Sequence, residues 1–341
     1  MTRLMKSYQV SRDYSPGRAP RLLTTLGMAS LVQVNLLRWE HQPTLRQPAL
    51  VAAFEGWNDA GNAASGAVTY LAKAWEASPF AVFDAEELFD FTSARPVVNL
   101  ESGVTRRLQW PCVSLSAAEV PGLDRDVVFV SGPEPQLRWR SFSRELVAAC
   151  LELGVASAVL LGALLADVAH TRPVRVGGGA TTARMAALAG IDPSYYGGPT
   201  GIVGVMADAL AHERIPTASL WASVPHYVSQ SSSPKATLAL VERAGRLLGA
   251  KVDTVDLQLA AAAYERQVNE LVALDEDASA YVRRLEREDA EDQEREAAEG
   301  RNRPGLAGER LSPASGERLG PASGERLAAE VERYLREHRG D

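Results

Sequence analysis

Seven consecutive residues, Glu55-Gly56-Trp57-Asn58-Asp59-Ala60-Gly61, put two carboxylates, an amide and an indole between two glycines. They follow the apolar run Ala49-Leu50-Val51-Ala52-Ala53-Phe54, which reads as a buried parallel strand. They precede an Ala-rich stretch, Ala63 to Leu71, with helical spacing. A strand, a tight polar loop and a helix start mark the place where open α/β sheets present ligand or partner surfaces. Asn58 or Asp59 can cap the first helical N–H groups, and Gly56 and Gly61 permit backbone angles that other residues resist. Two readings fit. One is a binding or catalytic loop that uses Glu55, Trp57, Asn58 and Asp59; the other is a capped turn with a packing Trp.

Four more polar clusters follow expected strands. In Gly132-Pro133-Glu134-Pro135 the prolines hold Glu134 in an extended loop, ready for function or simply solvated. Beyond Ala158–Gly162 come Asp167, His170, Thr171 and Arg172, then Gly177-Gly178-Gly179. Three glycines ahead of a helix can offer N–H groups to an anion, or let two elements approach closely. There is no Gly-Lys-Ser/Thr ending, and the dinucleotide-binding spacing is missed. Thr200, within Gly198-Pro199-Thr200-Gly201, suits the N-cap of a helix starting at Ile202. His226, in Pro225-His226-Tyr227, is the best general base in the chain, histidine being the residue type suited to proton transfer near neutrality, although a His at a strand end also fits a structural role. In a mostly parallel sheet, loops 55–61, 132–135 and 225–227 meet at the C-terminal strand ends. Trp57, Asp59, Glu134 and His226 would then line one concavity, with Glu55, Asn58, Thr200 and Tyr227 as the other candidate binding residues. No catalytic set is assembled: there is no Gly-x-Ser-x-Gly elbow and no His-Glu-x-x-His motif. That counts against catalysis, and neither a cofactor nor a metal is expected.

The elements that would position these residues are strands near 33–38, 49–54, 80–84, 104–109, 112–116, 126–131, 157–162 and 217–224. Helices are expected over 60–76, 137–152, 180–189, 202–213 and 235–249. From residue 126 on, apolar strands alternate with helices, as in a sheet covered on both faces. The pair 104–109 and 112–116, split by Trp110-Pro111, reads as an antiparallel edge. The fold class is α/β: a three-layer α/β/α sandwich with a mostly parallel mixed sheet and added C-terminal helices. In that region Leu257, Ala261, Tyr264, Val268, Leu271, Ala278, Val282 and Leu285 form a 4-3 apolar stripe, in one helix or in two joined near Asp275.

Five segments follow from this pattern: a disordered extension (1–30), the α/β/α domain (31–250), a helical extension (251–299), a disordered linker (300–323) and a terminal amphipathic helix (324–341). The linker carries an eight-residue duplication, Gly308-Glu309-Arg310-Leu311-Ser312-Pro313-Ala314-Ser315, repeated with one change from Gly316. Leu327, Val331, Tyr334 and Leu335 would share a face of the last helix. The chain has 341 residues, is 46% hydrophobic and carries a net charge of −7. Residues 275–299 hold eleven Asp or Glu and four Arg, so the remainder is close to neutral. With no basic stripe, nucleic-acid binding is not expected. No apolar run has the length of a membrane span. Cys112 and Cys150 lack metal-ligand spacing and read as reduced, buried thiols of a cytoplasmic protein.

Taken in order, the clusters resemble the proteasome assembly chaperone 2 family in its bacterial branch. The resemblance rests on Ala52 to Gly61, on Gly132-Pro133-Glu134-Pro135 with Trp139 and Phe142, and on Leu161-Gly162. It continues through Gly198 to Gly204 and Ser219 to Tyr227, covering residues 49–250. It implies an α/β/α sandwich of the nucleoside phosphorylase and peptidyl-tRNA hydrolase type, extra C-terminal helices, proteasome-related partners and homo-oligomers, with a trimer favoured. Archaeal and eukaryotic assembly chaperones dock through a terminal hydrophobic-Tyr-any-residue tail. This sequence departs from that pattern in Arg339-Gly340-Asp341.

Two functions stay open at this point. One is a non-catalytic, oligomeric scaffold or assembly factor. The other is a small-molecule-binding protein or enzyme that takes a nucleoside-like or carboxylate ligand in the cleft at the strand ends.

Overall fold

The computed structural model describes residues 35–101, 105–120, 122–191 and 197–302. The expected N-terminal extension, residues 303–323 of the expected linker and the terminal amphipathic helix lie outside these residues, whereas residues 300–302, expected to open the linker, continue the last helix. The strands are β1 (Leu37–Trp39), β2 (Ala49–Glu55), β3 (Ser78–Phe83), β4 (Val97–Glu101) and β5 (Thr105–Gln109). After them come β6 (Ser114–Glu119), β7 (Asp126–Pro133), β8 (Ser157–Ala166), β9 (Val176–Ala180) and β10 (Thr217–Pro225). The helices are α1 (Ala63–Ala74), α2 (Ala85–Leu88), α3 (Trp139–Glu152), α4 (Ala183–Ala189), α5 (Ile202–His212), α6 (Pro234–Leu248), α7 (Val255–Ala273) and α8 (Glu276–Asn302).

Eight strands form one mixed sheet in the order β1-β3-β6-β7-β2-β8-β10-β9. The central four, β7-β2-β8-β10, run parallel, and antiparallel pairs flank them on both sides. Period-2 alternation splits β2 between two cores. Ala49, Val51 and Ala53 face the layer that holds α1 and α6. Leu50, Ala52 and Phe54 face the layer that holds α3 and α5. Both faces of β2 are buried, which is why its sequence is an unbroken apolar run. The three-layer α/β/α architecture read from the sequence is therefore the one the chain adopts.

Local differences have physical causes. The segment 105–109 does not pair with 112–116. It pairs instead with Val97–Glu101 in a separate two-stranded ribbon, while β6 pairs with β3 and β7. The glycines 177–179 belong to an edge strand, not to an anion-binding loop. A Cβ on Gly178 would lie 1.8 Å from the Ser219 carbonyl oxygen, so close pairing of β9 with β10 accounts for that glycine. Helix α4 begins later than expected, with the Thr182 hydroxyl accepting from Met185 N at 3.1 Å. Cys150 is buried as expected, whereas Cys112 is exposed. No helix among the described residues is long and apolar enough to cross a membrane.

The C-terminal stripe forms two helices, and Asp275 starts the second by accepting from Ala278 N at 2.9 Å. Tyr264, Val268, Leu271, Ala278, Val282 and Leu285 pack with Tyr227 and Val228 in a third core. The acidic stretch after Leu285 is not simply solvated: Glu286 accepts from the Thr171 hydroxyl at 2.5 Å, and Asp289 pairs with Arg172 and Arg175.

Gly132 offers a test of the sheet. Its φ is +149°, and a Cβ there would sit 2.2 Å from the Cys112 carbonyl oxygen. Both the backbone strain and the clash would have to be absorbed by the β6–β7 pair. Gly132→Ala is expected to lower folding stability by about 2 kcal/mol or more, read as a lower denaturant midpoint. An unchanged midpoint would show that the pair has slack.

Candidate functional site

At the C-terminal end of the sheet, β2 first leaves β8 and then returns to it. Ala52 is level with Leu160, and Asp59 is level with Ala163. The excess residues of the β2 side bow outward through Gly56, whose φ is +111°. Trp57 rides on this bow and is 66% exposed. The chain is pinned again where Ala163 N donates to the Asn58 carbonyl at 2.8 Å.

Asn58 and Asp59, just past the bow, are buried. The Asp59 Oδ1 accepts from Ala64 N at 2.7 Å and from Ser65 N at 3.1 Å, so this carboxylate caps α1 as the sequence suggested. Burial raises the Asp59 pKa above its ordinary value against the pull of those hydrogen bonds. Burial, followed by the nearby Asp59 charge, also raises that of Glu55.

Glu134 is placed beside them by β7. Its N–H donates to the Glu55 carbonyl at 2.9 Å, and the Trp139 indole donates to the Pro135 carbonyl, anchoring the loop from the other side. The Glu134 Oε1 accepts from Asn58 Nδ2 at 2.7 Å and from Ile202 N at 2.8 Å. The carboxylate thus satisfies the first N–H of α5, the end of the helix dipole that favours negative charge. Thr200, expected to cap α5, is exposed and precedes the cap residue, Gly201, which makes no side-chain cap bond. A Cβ on Gly201 would lie 2.3 Å from Asn58 Oδ1, so only glycine admits the Asn58 side chain here. Sequence reasoning missed both Gly201 and the capping role of Glu134; the Gly198-Pro199-Thr200-Gly201 run was the signal for the former.

His226 and Tyr227 belong to a different group, under the C-terminal helices. His226 Nδ1 lies 2.9 Å from Asp167 Oδ1, and the Tyr281 hydroxyl donates to the same oxygen at 3.2 Å. Burial, with Asp167 second, pushes the Tyr281 hydroxyl up to about 12. Tyr227 is fully buried, and its hydroxyl oxygen accepts from His170 N at 2.8 Å and lies 2.7 Å from His170 Nδ1. His170 Nε2 reaches Asn269 Oδ1 on α7 at 3.1 Å, and burial lowers the pKa of this imidazole. These polar contacts fasten α7 and α8 to the loop after β8. The partners Asn269 and Tyr281, on helices far along the chain, had no sequence signal.

The structure therefore joins Glu55, Asn58, Asp59 and Glu134 in one group and His226 with Tyr227 in another. A cavity beside His170, Arg172, Lys235 and Tyr264 holds about 10 Å³, room for a single water. An open groove of about 300 Å³ lies between α6 and the start of α7, among Glu242, Gly245, Arg246, Val252 and Thr254. Neither hollow is lined by Trp57, Asp59, Glu134 or His226. Among the described residues no group of three or more His, Cys, Asp or Glu side chains is arranged to hold a metal ion.

A sequence profile of the PAC2 family matches residues 53–272. The proteasome-assembly chaperone homologue Rv2125 of Mycobacterium tuberculosis shares 48% identity and a TM-score of 0.64, over 69% of this chain and 99% of its own. A PAC2 family protein from Streptomyces avermitilis is 46% identical over the same shares, with a TM-score of 0.65. The archaeal proteasome activator PbaB of Pyrococcus furiosus aligns over 69% of this chain and 97% of its own at 15% identity and a TM-score of 0.55, a likeness of fold alone. No functionally curated protein matches the chain.

Asp59 gives the site a pH signature. Its folded pKa is raised, so the native state holds a proton that the unfolded state has released between the ordinary value of 3.8 and the folded one. Stability from this group is greatest at low pH and is lost as pH rises through the folded pKa. The stability difference between the wild type and Asp59→Asn should therefore move in the wild type's favour as pH falls from 7 towards 4. Denaturant titrations at both pH values read it; a shift the other way would contradict burial as the dominant cause.

Proposed function

The chain belongs to the PAC2 family, and on that footing we propose that it is a proteasome-assembly-chaperone-like protein that works without catalysis. In this reading it is an oligomeric scaffold or assembly factor that holds other protein chains by surface contact. Its proposed setting is the cytoplasm, its partners are proteasome-related proteins, and its own assembly is a homo-oligomer, with a trimer favoured.

One observation carries the reading. Most of the side chains suited to chemistry at the sheet end make contacts that hold the fold together. The Glu134 carboxylate receives α5 and Asn58, one oxygen of the Asp59 carboxylate receives α1, and Asp167 accepts from Tyr281 with His226 Nδ1 2.9 Å away. What the sheet end offers to solvent is the Trp57 indole beside the Glu55 carboxylate, and exposed aromatic side chains are the usual anchors of protein–protein contacts. The likeness to the Mycobacterium tuberculosis protein Rv2125, a proteasome-assembly chaperone homologue, points the same way. The small-molecule alternative finds no support in either hollow described above.

The test mixes the purified full chain with unassembled proteasome α and β subunits and follows complex formation by native mass measurement. A complex with unassembled subunits, and a rate of particle formation changed at least several-fold, are expected. No complex, together with a metabolite that stabilises the chain by about 2.7 kcal/mol at a hundred times its dissociation constant, would replace this reading with the ligand-binding one.

A further inference from the structure

Apolar side chains of α7 and α8 cover Ala169, Tyr227 and Val228. Polar contacts to the loop after β8 hold this helix pair in place, and one of them runs through a buried imidazole. His170 is 3% exposed, and both of its ring nitrogens are engaged. The partners assign the ring proton. Nε2 faces a carbonyl oxygen, Asn269 Oδ1 of α7, at 3.1 Å, so Nε2 is the protonated nitrogen. Nδ1 is then bare and accepts from the Tyr227 hydroxyl at 2.7 Å, whose oxygen accepts in turn from His170 N. A second ring proton can go only to Nδ1, where it meets that hydroxyl. Tyr227 is fully buried, so the displaced hydroxyl hydrogen would have no water to bond.

Charged and titratable groups approach His170 from every side. From α6, the Lys235 ammonium donates to the His170 carbonyl at 2.6 Å and pairs with Glu265 of α7. From α8, Glu286 accepts from the neighbouring Thr171 hydroxyl, and its backbone carbonyl accepts from Arg172. Tyr264 of α7 lines the small cavity beside the imidazole. Beyond Tyr227 stand His226 and Tyr281, both on Asp167. Burial lowers the His170 pKa below its ordinary value of 6.5 against the pull of the Asn269 bond. The Lys235 charge lowers it further, and Glu265 and Glu286 act in the opposite direction.

We propose that His170 is a proton-sensitive latch: a proton on Nδ1 breaks the contact with Tyr227 and loosens α7 and α8 from the loop after β8. Two states are available to the helix pair. In the latched state the ring is buried and neutral. In the lifted state it returns to water and charges at its ordinary value. The lifted state therefore binds a proton at pH values where the latched state does not. Lifting is favoured as pH falls below about 6.5, by at most about tenfold per pH unit for one proton, and levels off below the folded pKa. Above that range the latch is closed. Lifting uncovers Ala169, Tyr227 and Val228, an apolar surface beside the Asp167–His226 pair. The latch is a property of the fold and does not depend on the scaffold role.

Hydrogen exchange read by mass spectrometry tests the latch in the full chain at pH 7.5 and 5.5, with rates corrected for the pH dependence of intrinsic exchange. Protection of residues 264–285 is compared with that of α3 as an internal reference. In the wild type the relative protection of 264–285 should fall about threefold or more at the lower pH. Asn269→Asp sets a carboxylate against Nε2, which stabilises the charged ring inside the latched state, so the fall should disappear. Asn269 is exposed, and the substitution leaves the packing intact. His170→Gln removes the titrating group and should abolish the fall as well; should it lose protection already at pH 7.5, Asn269→Asp decides alone. His226→Gln should keep the wild-type fall. Equal protection of the wild type at both pH values, or a fall in Asn269→Asp as large as in the wild type, overturns the latch. So does a fall that vanishes in His226→Gln and persists in His170→Gln.

Discussion

The end of the sheet depends on one carboxylate. Glu134 closes a triangle between β7, the turn after β2 and the first turn of α5, accepting from Asn58 Nδ2 and from Ile202 N with the same oxygen. A helix N-terminus buried without acceptors would leave backbone donors unpaired. Here the acceptor comes from another strand, so helix position, strand spacing and the turn after β2 are set together. Gly201 makes this possible by leaving no side chain where Asn58 must enter. The same pinning drives Trp57 outward, because the chain must bow between Ala53 and Asn58 before it rejoins β8.

The other half of the sheet end is closed by the C-terminal helices. Tyr227 and His170 are covered by α7, and Tyr281 of α8 shares the Asp167 carboxylate with His226. Lys235 adds a bond to the His170 carbonyl and an ion pair with Glu265. Carboxylates and imidazoles, the side chains that could move protons, are thereby turned into fasteners. A polar strand end can thus look like an active site in sequence and work as a joint in the fold. What this end of the sheet leaves outside is the Trp57 indole and the Glu55 carboxylate.

The sequence was legible wherever the physics was local. The run Ala49 to Phe54 reads as a doubly covered strand because both of its faces are apolar, and Asp59 reads as a cap because its helix begins within a few residues. The break at Asp275 was visible in the same way. What the sequence hid was pairing across distance. Glu134 and Ile202 lie 68 residues apart, and His170 and Asn269 lie 99 apart. Residues 105–109 were paired with the wrong neighbour, because Val97–Glu101 is too short and too exposed to announce itself as a strand. Three glycines read either as an anion loop or as a place where two elements approach closely, and the distance from Gly178 to Ser219 decides for close approach, in an edge strand.

The central claim is that Glu134 and Asn58 act as a structural couple. A double-mutant cycle on folding stability, with Asn58→Ala, Glu134→Ala and the double variant, measures it most directly. A coupling energy of about 1–2 kcal/mol is predicted for two side chains that share one short hydrogen bond. Additive losses, with no coupling, would contradict the account and free Glu134 for another role.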